Sequence, residues 1–216
     1  DGEQPPPGFV PLFNGKDLDG WQGLVGDPRS RRDMAPGQLD EARAKADAMM
    51  RAHWSARDGA LVFDGKGQNL CTARDYGDFE LFVDWKFPAG ADSGVYLRGS
   101  PQVQLWDPSH EAQWRHGAQY GSGALWNNKQ AGHRPLVKAD RPTGEWNTLF
   151  VRMIGERVTA ELNGRRILDR VIMENYWERD QPIYAEGPIE LQSHGSPLFF
   201  RNLFIRELDA AGSPSP

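Results

Sequence analysis

The stretch "DFELFVDWKF" (78–87) constrains the fold more than any other. Phe79, Leu81, Val83, Trp85 and Phe87 recur at every second position, with Glu80, Asp84 and Lys86 between them. Successive side chains alternate between opposite faces in a β-strand, so the pattern predicts a strand with one apolar face on a core. The same grammar returns along the chain. "ARDGALVFDGKGQNLCTA" sets an apolar run between two Asp-Gly pairs, and "SGVYLRGSPQVQLWD" reads as two strands around a Gly-Ser-Pro turn. "WNTLFVRMIGERVTAELNGRRILDRV" is a meander whose Asn163-Gly164 pair is its strongest hairpin signal. "PLFFRNLFIREL" closes the series, with Leu198, Phe200 and Leu203 as core candidates.

One segment breaks this pattern. In "GQLDEARAKADAMMRAHW", Leu39, Ala42, Ala46, Met49 and His53 fall at helical spacing. Asp40 and Glu41 in the first turn and Arg51 in the last suit the helix dipole. The predicted architecture is therefore all-β, an antiparallel sandwich or jelly roll, with one helix inserted at 27–54 and lying on it. A chain of 216 residues with eight Trp, ten Phe and five Tyr can build one large core, so a single domain is expected. Residues 1–8 and 209–216 read as linker-like tails. The proline-rich start suggests a processed end and hence an exported, periplasmic or extracellular protein.

Several function classes drop out. A net charge of −5 with no basic stripe argues against nucleic-acid binding. No apolar run is long enough to span a bilayer. The single cysteine, Cys71, excludes an internal disulfide and reads as a buried thiol. Nucleophile-elbow, zinc-protease, phosphate-loop and dinucleotide motifs are all missing. So is the E-x-D-x-x-E strand motif of jelly-roll glucanases.

What remains is a set of polar strand faces. "GPIELQSHG" (187–195) puts Glu190, Gln192 and His194 on one face and Ile189 and Leu191 on the other. Tyr96 and Arg98 share a face, as do Gln102, Gln104 and Trp106, opposite Val103, Leu105 and Asp107. Such faces are also what a solvated antiparallel sheet presents, and Asp84 with Lys86 or Arg98 with Asp107 could be plain ion pairs. "HEAQWRH" (110–116) superficially resembles a metal-ligand cluster but reads as a loop with solvated histidines, and Asp92 reads as a turn residue first and a metal or ligand contact second.

The ordered set "FVPLFNGKDLDGW", "YGDFELFVDWKF", "DSGVYLRG", "QVQLWD", "GEWN", "LNG" and "GPIELQSHG…LFFRNLFIREL" resembles the 3-keto-disaccharide hydrolase domain family over residues 9–208. The helical stretch resembles a longer form of that domain. The resemblance implies a concanavalin-like jelly roll acting on glycosides already oxidised to a ketone at sugar C3. The ketone acidifies the C2 proton; a base removes it, the enolate expels the C1 substituent, and water can add to the enone. Such an enzyme needs a base, a stabiliser for the ketone oxygen and a proton donor.

Polarity and strand face suggest His194 for proton transfer, with Glu190 and Asp84 as alternative bases. Arg98 would stabilise the enolate, and Gln104 and Gln192 would hold hydroxyls. Tyr96, Trp106 and Trp126 would stack on the sugar. Asp107 is a further candidate, although its register sets it opposite Gln104. A divalent cation could replace Arg98, and no ligand set for one is readable. The partner is a small carbohydrate, and the competing reading is a non-catalytic carbohydrate-binding module. The enzyme reading predicts that Asp84, Arg98, Gln104 and His194 line one concave pocket.

Overall fold

Two-residue turns set the register of this protein. Asp58-Gly59, Arg98-Gly99 and Asn163-Gly164 hold positive φ at both positions, the geometry whose twist matches two paired antiparallel strands. The middle turn is thus Arg98-Gly99, and Ser100 and Pro101 already belong to the following strand. The computed structural model describes residues 3–215. Its strands are β1 (Val10–Pro11), β2 (Trp21–Gly23), β3 (Trp54–Arg57), β4 (Ala60–Phe63), β5 (Leu70–Thr72), β6 (Phe79–Lys86) and β7 (Asp92–Leu97). They continue with β8 (Ser100–Trp106), β9 (Asn147–Ile154), β10 (Arg157–Leu162), β11 (Arg165–Ile172), β12 (Glu190–Leu191) and β13 (Leu198–Glu207).

These strands form two sheets. The larger runs β11-β10-β9-β6-β13-β4-β3, with β1 also on β13; the smaller runs β2-β5-β12-β7-β8. Between them lies one apolar core. Leu81, Val83, Leu149, Val151 and Phe200 from the larger sheet are buried with Leu70, Val95, Val103, Leu105 and Leu191 from the smaller. In β13, Phe200 and Leu203 both face inward because a bulge shifts the register between Arg201 and Phe204, with Asn202 at φ 49°.

The 27–54 segment holds two helices rather than one: α1 (Pro28–Asp33) and α2 (Pro36–His53). Proline explains the break. Pro36 has no N–H with which to continue α1, and Met34 and Ala35 before it are extended. Asp27 caps α1 by accepting from the backbone of Arg29 and Ser30 at 2.8 and 3.0 Å. Leu39, Ala42, Ala46 and His53 are half-buried on the inward side of α2 as expected, but the buried methionine is Met50, while Met49 is exposed. Close approach of α2 to β2 requires Gly23, where a β-carbon would overlap the Ala46 carbonyl. The Gly23 N–H donates to Asp47 across the same contact, at 2.8 Å.

The tails are tied down where they are described. Glu3 donates its backbone N–H to Asn202, and Leu208 bridges Pro214. Residues 1, 2 and 216 lie outside the described residues. Cys71 is buried, and burial pushes its thiol up to about 12. No helix among the described residues is long and apolar enough to cross a membrane.

Candidate functional site

Strand alternation decides what the outer face of the smaller sheet carries. Register aligns Gln22, Cys71, Glu190 and Tyr96 in one row across β2, β5, β12 and β7. A second row pairs Gly94 with Gln104, and a third pairs Asp92 with Trp106. Because Val95, Val103 and Leu105 point into the core, these neighbours must point out. Gly94 leaves space for Gln102, whose side chain would stand 3.1 Å from a β-carbon there.

The face is roofed by loops on its β7–β8 side, which leaves a cleft of about 480 Å³. Its floor carries Asp92, Tyr96, Gln104 and Gln192, and its walls carry Trp126, Tyr176 and Trp177. His194, Arg115 and His116 reach in from the rim. The walls are braced: Trp177 donates its indole N–H to the Gly99 carbonyl at 2.9 Å, and Trp126 to the His116 carbonyl at 3.0 Å. Trp106 is buried and donates to the Gly121 carbonyl.

At the centre is a hydrogen-bonded chain. Gln102 donates to Gln104, and Gln104 Nε2 donates to Asp92 Oδ1 at 2.6 Å. The other Asp92 oxygen lies 3.8 Å from His194 Nδ1. Burial holds the Asp92 carboxyl above its ordinary range, opposed by the nearby His194 charge and the Gln104 bond. His194 itself is largely exposed. A buried carboxylate positioned by an amide, beside an accessible imidazole, is an arrangement suited to moving a proton.

The sequence pattern of the 3-keto-alpha-glucoside-1,2-lyase-like domain matches residues 8–206. The chain belongs to this family. A 3-keto-disaccharide hydrolase from Bacteroides thetaiotaomicron is 22% identical over 94% of this chain and 79% of its own length. A Parabacteroides distasonis protein provisionally assigned as a glycosyl hydrolase superposes with a TM-score of 0.67. That pair is 25% identical over 94% of this chain and 84% of the other. A second such protein from the same organism gives 0.63 at 24% identity, covering 94% of both chains. The fold is a jelly-roll β-sandwich, as the family resemblance implied.

Within this family member, the expected four-residue grouping does not form. Gln104 and His194 share the cleft with Tyr96, Trp106, Trp126 and Gln192. Asp84 does not join them: it lies on β6 in the other sheet. There it accepts from Thr148 at 2.7 Å and Asn202 at 2.8 Å and faces Arg201 at 3.5 Å. Arg98 is only 2% exposed and spends its guanidinium on the Gly77 and Tyr184 carbonyls and on Asp78, at 2.6 Å. Its left-handed turn conformation removes it from the alternation that includes Tyr96. Asp107 follows the end of β8 and organises a turn, accepting from Gly90, Ser109 and Thr143. Neither expected ion pair exists; Lys86 instead lies over the Trp146 ring.

Glu190 is on the expected face, in the row between Cys71 and Tyr96, but is buried to 2% exposure and sealed from the cleft. Gln102, Arg115, His116, Tyr176 and Trp177 are outside the expected set of site residues, and Asp92, expected as a turn residue first and a contact second, lines the cleft. Asp92 is nevertheless within reach of the pattern, since two steps back from Tyr96 along the same face lead through Gly94 to it. Among the described residues, no three His, Cys, Asp or Glu side chains converge as a metal-ligand set.

Asp84 offers a control. Its replacement by Asn is expected to cost about 1 kcal/mol of stability through weakened hydrogen bonds and to leave turnover unchanged. Denaturant unfolding and steady-state kinetics on the same preparation check both parts.

Proposed function

We propose that this protein cleaves glycosides bearing a ketone at C3, with His194 as the proton-transfer group and Asp92 as the carboxylate that orients and charges it. The observation that carries the reading is the hydrogen-bonded Gln102–Gln104–Asp92 chain on the floor of an aromatic-walled cleft, with His194 3.8 Å from Asp92 at its rim. Ordinary glycoside hydrolysis needs two carboxyl groups flanking the bond, and the cleft presents one. Elimination across C1–C2 needs a single base instead. His194 takes the C2 proton, and the C–H electron pair forms the enolate with charge on the C3 oxygen. The enolate then re-forms the ketone and expels the C1 substituent, whose oxygen takes the proton back from the His194 imidazolium, leaving a C1=C2 double bond to which water can add.

The enolate oxygen requires a positive or donating group. Arg115 and His116 at the rim take the role expected of Arg98. Gln192 and Tyr96 are assigned to sugar hydroxyls, and Trp126 and Tyr176 to its apolar faces.

The test is loss of the C2 hydrogen. A 3-keto-disaccharide incubated in D₂O with the protein should exchange or eliminate at C2 and release its second sugar. Binding without any exchange or release would overturn the enzyme reading in favour of a carbohydrate-binding module.

A further inference from the structure

Beside the cleft lies a second cavity of about 360 Å³ that shares Arg115, His116 and Trp126 with it. Its remaining lining is unusual for a chain of net charge −5. Lys129 and Arg134 add two full positive charges to that of Arg115, and His133 lies among them, with no Asp or Glu in the wall. Among the described residues, Arg115, Lys129 and Arg134 form no ion pair. The acid that approaches, Glu174, accepts from the backbone N–H groups of Lys129 and Gln130 and pairs with Arg179 at 3.1 Å.

This grouping is held in place. The Arg134 guanidinium lies 4.1 Å from the centre of the Tyr120 ring, and Arg115 Nε donates to His116 Nε2 at 3.0 Å. Asn128, buried beneath, donates to the Ala131 and Ile172 carbonyls at 2.8 Å each and fixes the loop that carries Lys129. Trp114, Tyr120 and Trp126 are exposed around the same cavity. Gathering like charges without a counter-charge costs free energy through repulsion, which a bound anion would offset. Exposed aromatic rings beside them are the surfaces on which a sugar ring stacks.

We propose that this cavity is the subsite for the leaving group and that the leaving group is an anionic sugar, carrying a carboxylate, sulfate or phosphate. The proposal rests on the adjoining cleft being the place of cleavage, since a glycoside bound over His194 and Asp92 has its second unit outside the cleft. Trp126 and His116 form the shared wall between the two units.

Calorimetric titration with glucose, glucuronic acid, glucose 6-sulfate and glucose 6-phosphate tests it without turnover. A charge-assisted hydrogen bond is worth about 1.5–3 kcal/mol, so at least one anionic sugar should bind about tenfold or more tightly than glucose at low salt. The differences among the three identify the anion. The preference should shrink with added salt and vanish in the Lys129→Gln/Arg134→Gln double variant, whose unfolding midpoint should stay at the wild-type value.

Equal affinity for all four sugars, or a preference that survives the double variant, overturns the proposal. So does inorganic phosphate binding as tightly as the best anionic sugar, which would mark an anion site with no sugar component. A salt-sensitive preference in a protein that cleaves no 3-keto-glycoside would sink the cleavage reading and leave the anionic-sugar site standing. Cleavage with no such preference would do the reverse.

Discussion

Replacing His194 by Ala, or Asp92 by Asn, is expected to reduce cleavage of a 3-keto-glycoside by about 10²- to 10⁴-fold, the range over which a positioned acid–base group acts. The two losses arise differently. His194→Ala removes the group that exchanges the proton, and because His194 is an exposed side chain in the loop after β12 the fold should be untouched. Asp92→Asn preserves shape but removes the charge facing Nδ1 at 3.8 Å, so the imidazolium formed on proton abstraction loses its stabilising partner. The same substitution introduces an amide N–H₂ close to the Gln104 donor now 2.6 Å from Asp92, and one of the two amides must turn. Gln104→Ala should therefore fall between wild type and Asp92→Asn.

Hydrogen exchange at C2 separates the roles. If His194 is the base, His194→Ala loses exchange and elimination together. If exchange persists while release of the second sugar is lost, His194 serves the leaving group and another group abstracts the proton. Near-wild-type cleavage in both variants would remove this chain from the mechanism.

The part of this site legible from sequence is the part written on strand alternation. Gln104 and Tyr96 each sit two residues from another polar or small outward position, with apolar neighbours that fix the face; Gln192 follows β12 directly, two residues on from Glu190, and all three reach the cleft. Asp84 obeys the same rule as well as they do, and it is on the other sheet. Alternation tells which side of a strand a residue is on, but not which sheet receives the strand; that follows from long-range pairing. Arg98 failed for a local reason, because the turn begins at Arg98 itself and ends the alternation after Leu97. Asp92 reads as a contact only second because "GADSG" has the composition of a turn, although β7 starts at the aspartate. His116 is placed by a short 3-10 helix and a loop, which carry no periodicity to read.

Stability should depend on pH through Glu190, the other base candidate of this face. Its side chain is buried in the row between Cys71 and Tyr96, Oε2 has no hydrogen-bond partner, and burial pushes its carboxyl up to about 7, with Arg31 pulling the other way. A raised folded-state value means the native protein holds this proton more tightly than the unfolded chain does. The contribution is therefore complete below the unfolded value of about 4.5, falls as pH rises, and is gone once pH passes about 7. A rise from 4.5 to about 7 corresponds to about 3 kcal/mol. Glutamine has nearly the shape of the protonated acid and no charge to desolvate. Glu190→Gln should thus be close to wild type in stability near pH 4.5 and gain on it progressively up to pH 7, with a constant advantage beyond. Urea unfolding of both proteins at half-unit intervals from pH 4.5 to 8 measures that difference, and parallel curves would show that Glu190 titrates alike in the folded and unfolded chains. Because the carboxyl is shut away from the cleft and neutral through much of this range, the variant should keep its cleavage activity, which leaves Asp92 as the carboxylate of the cleft.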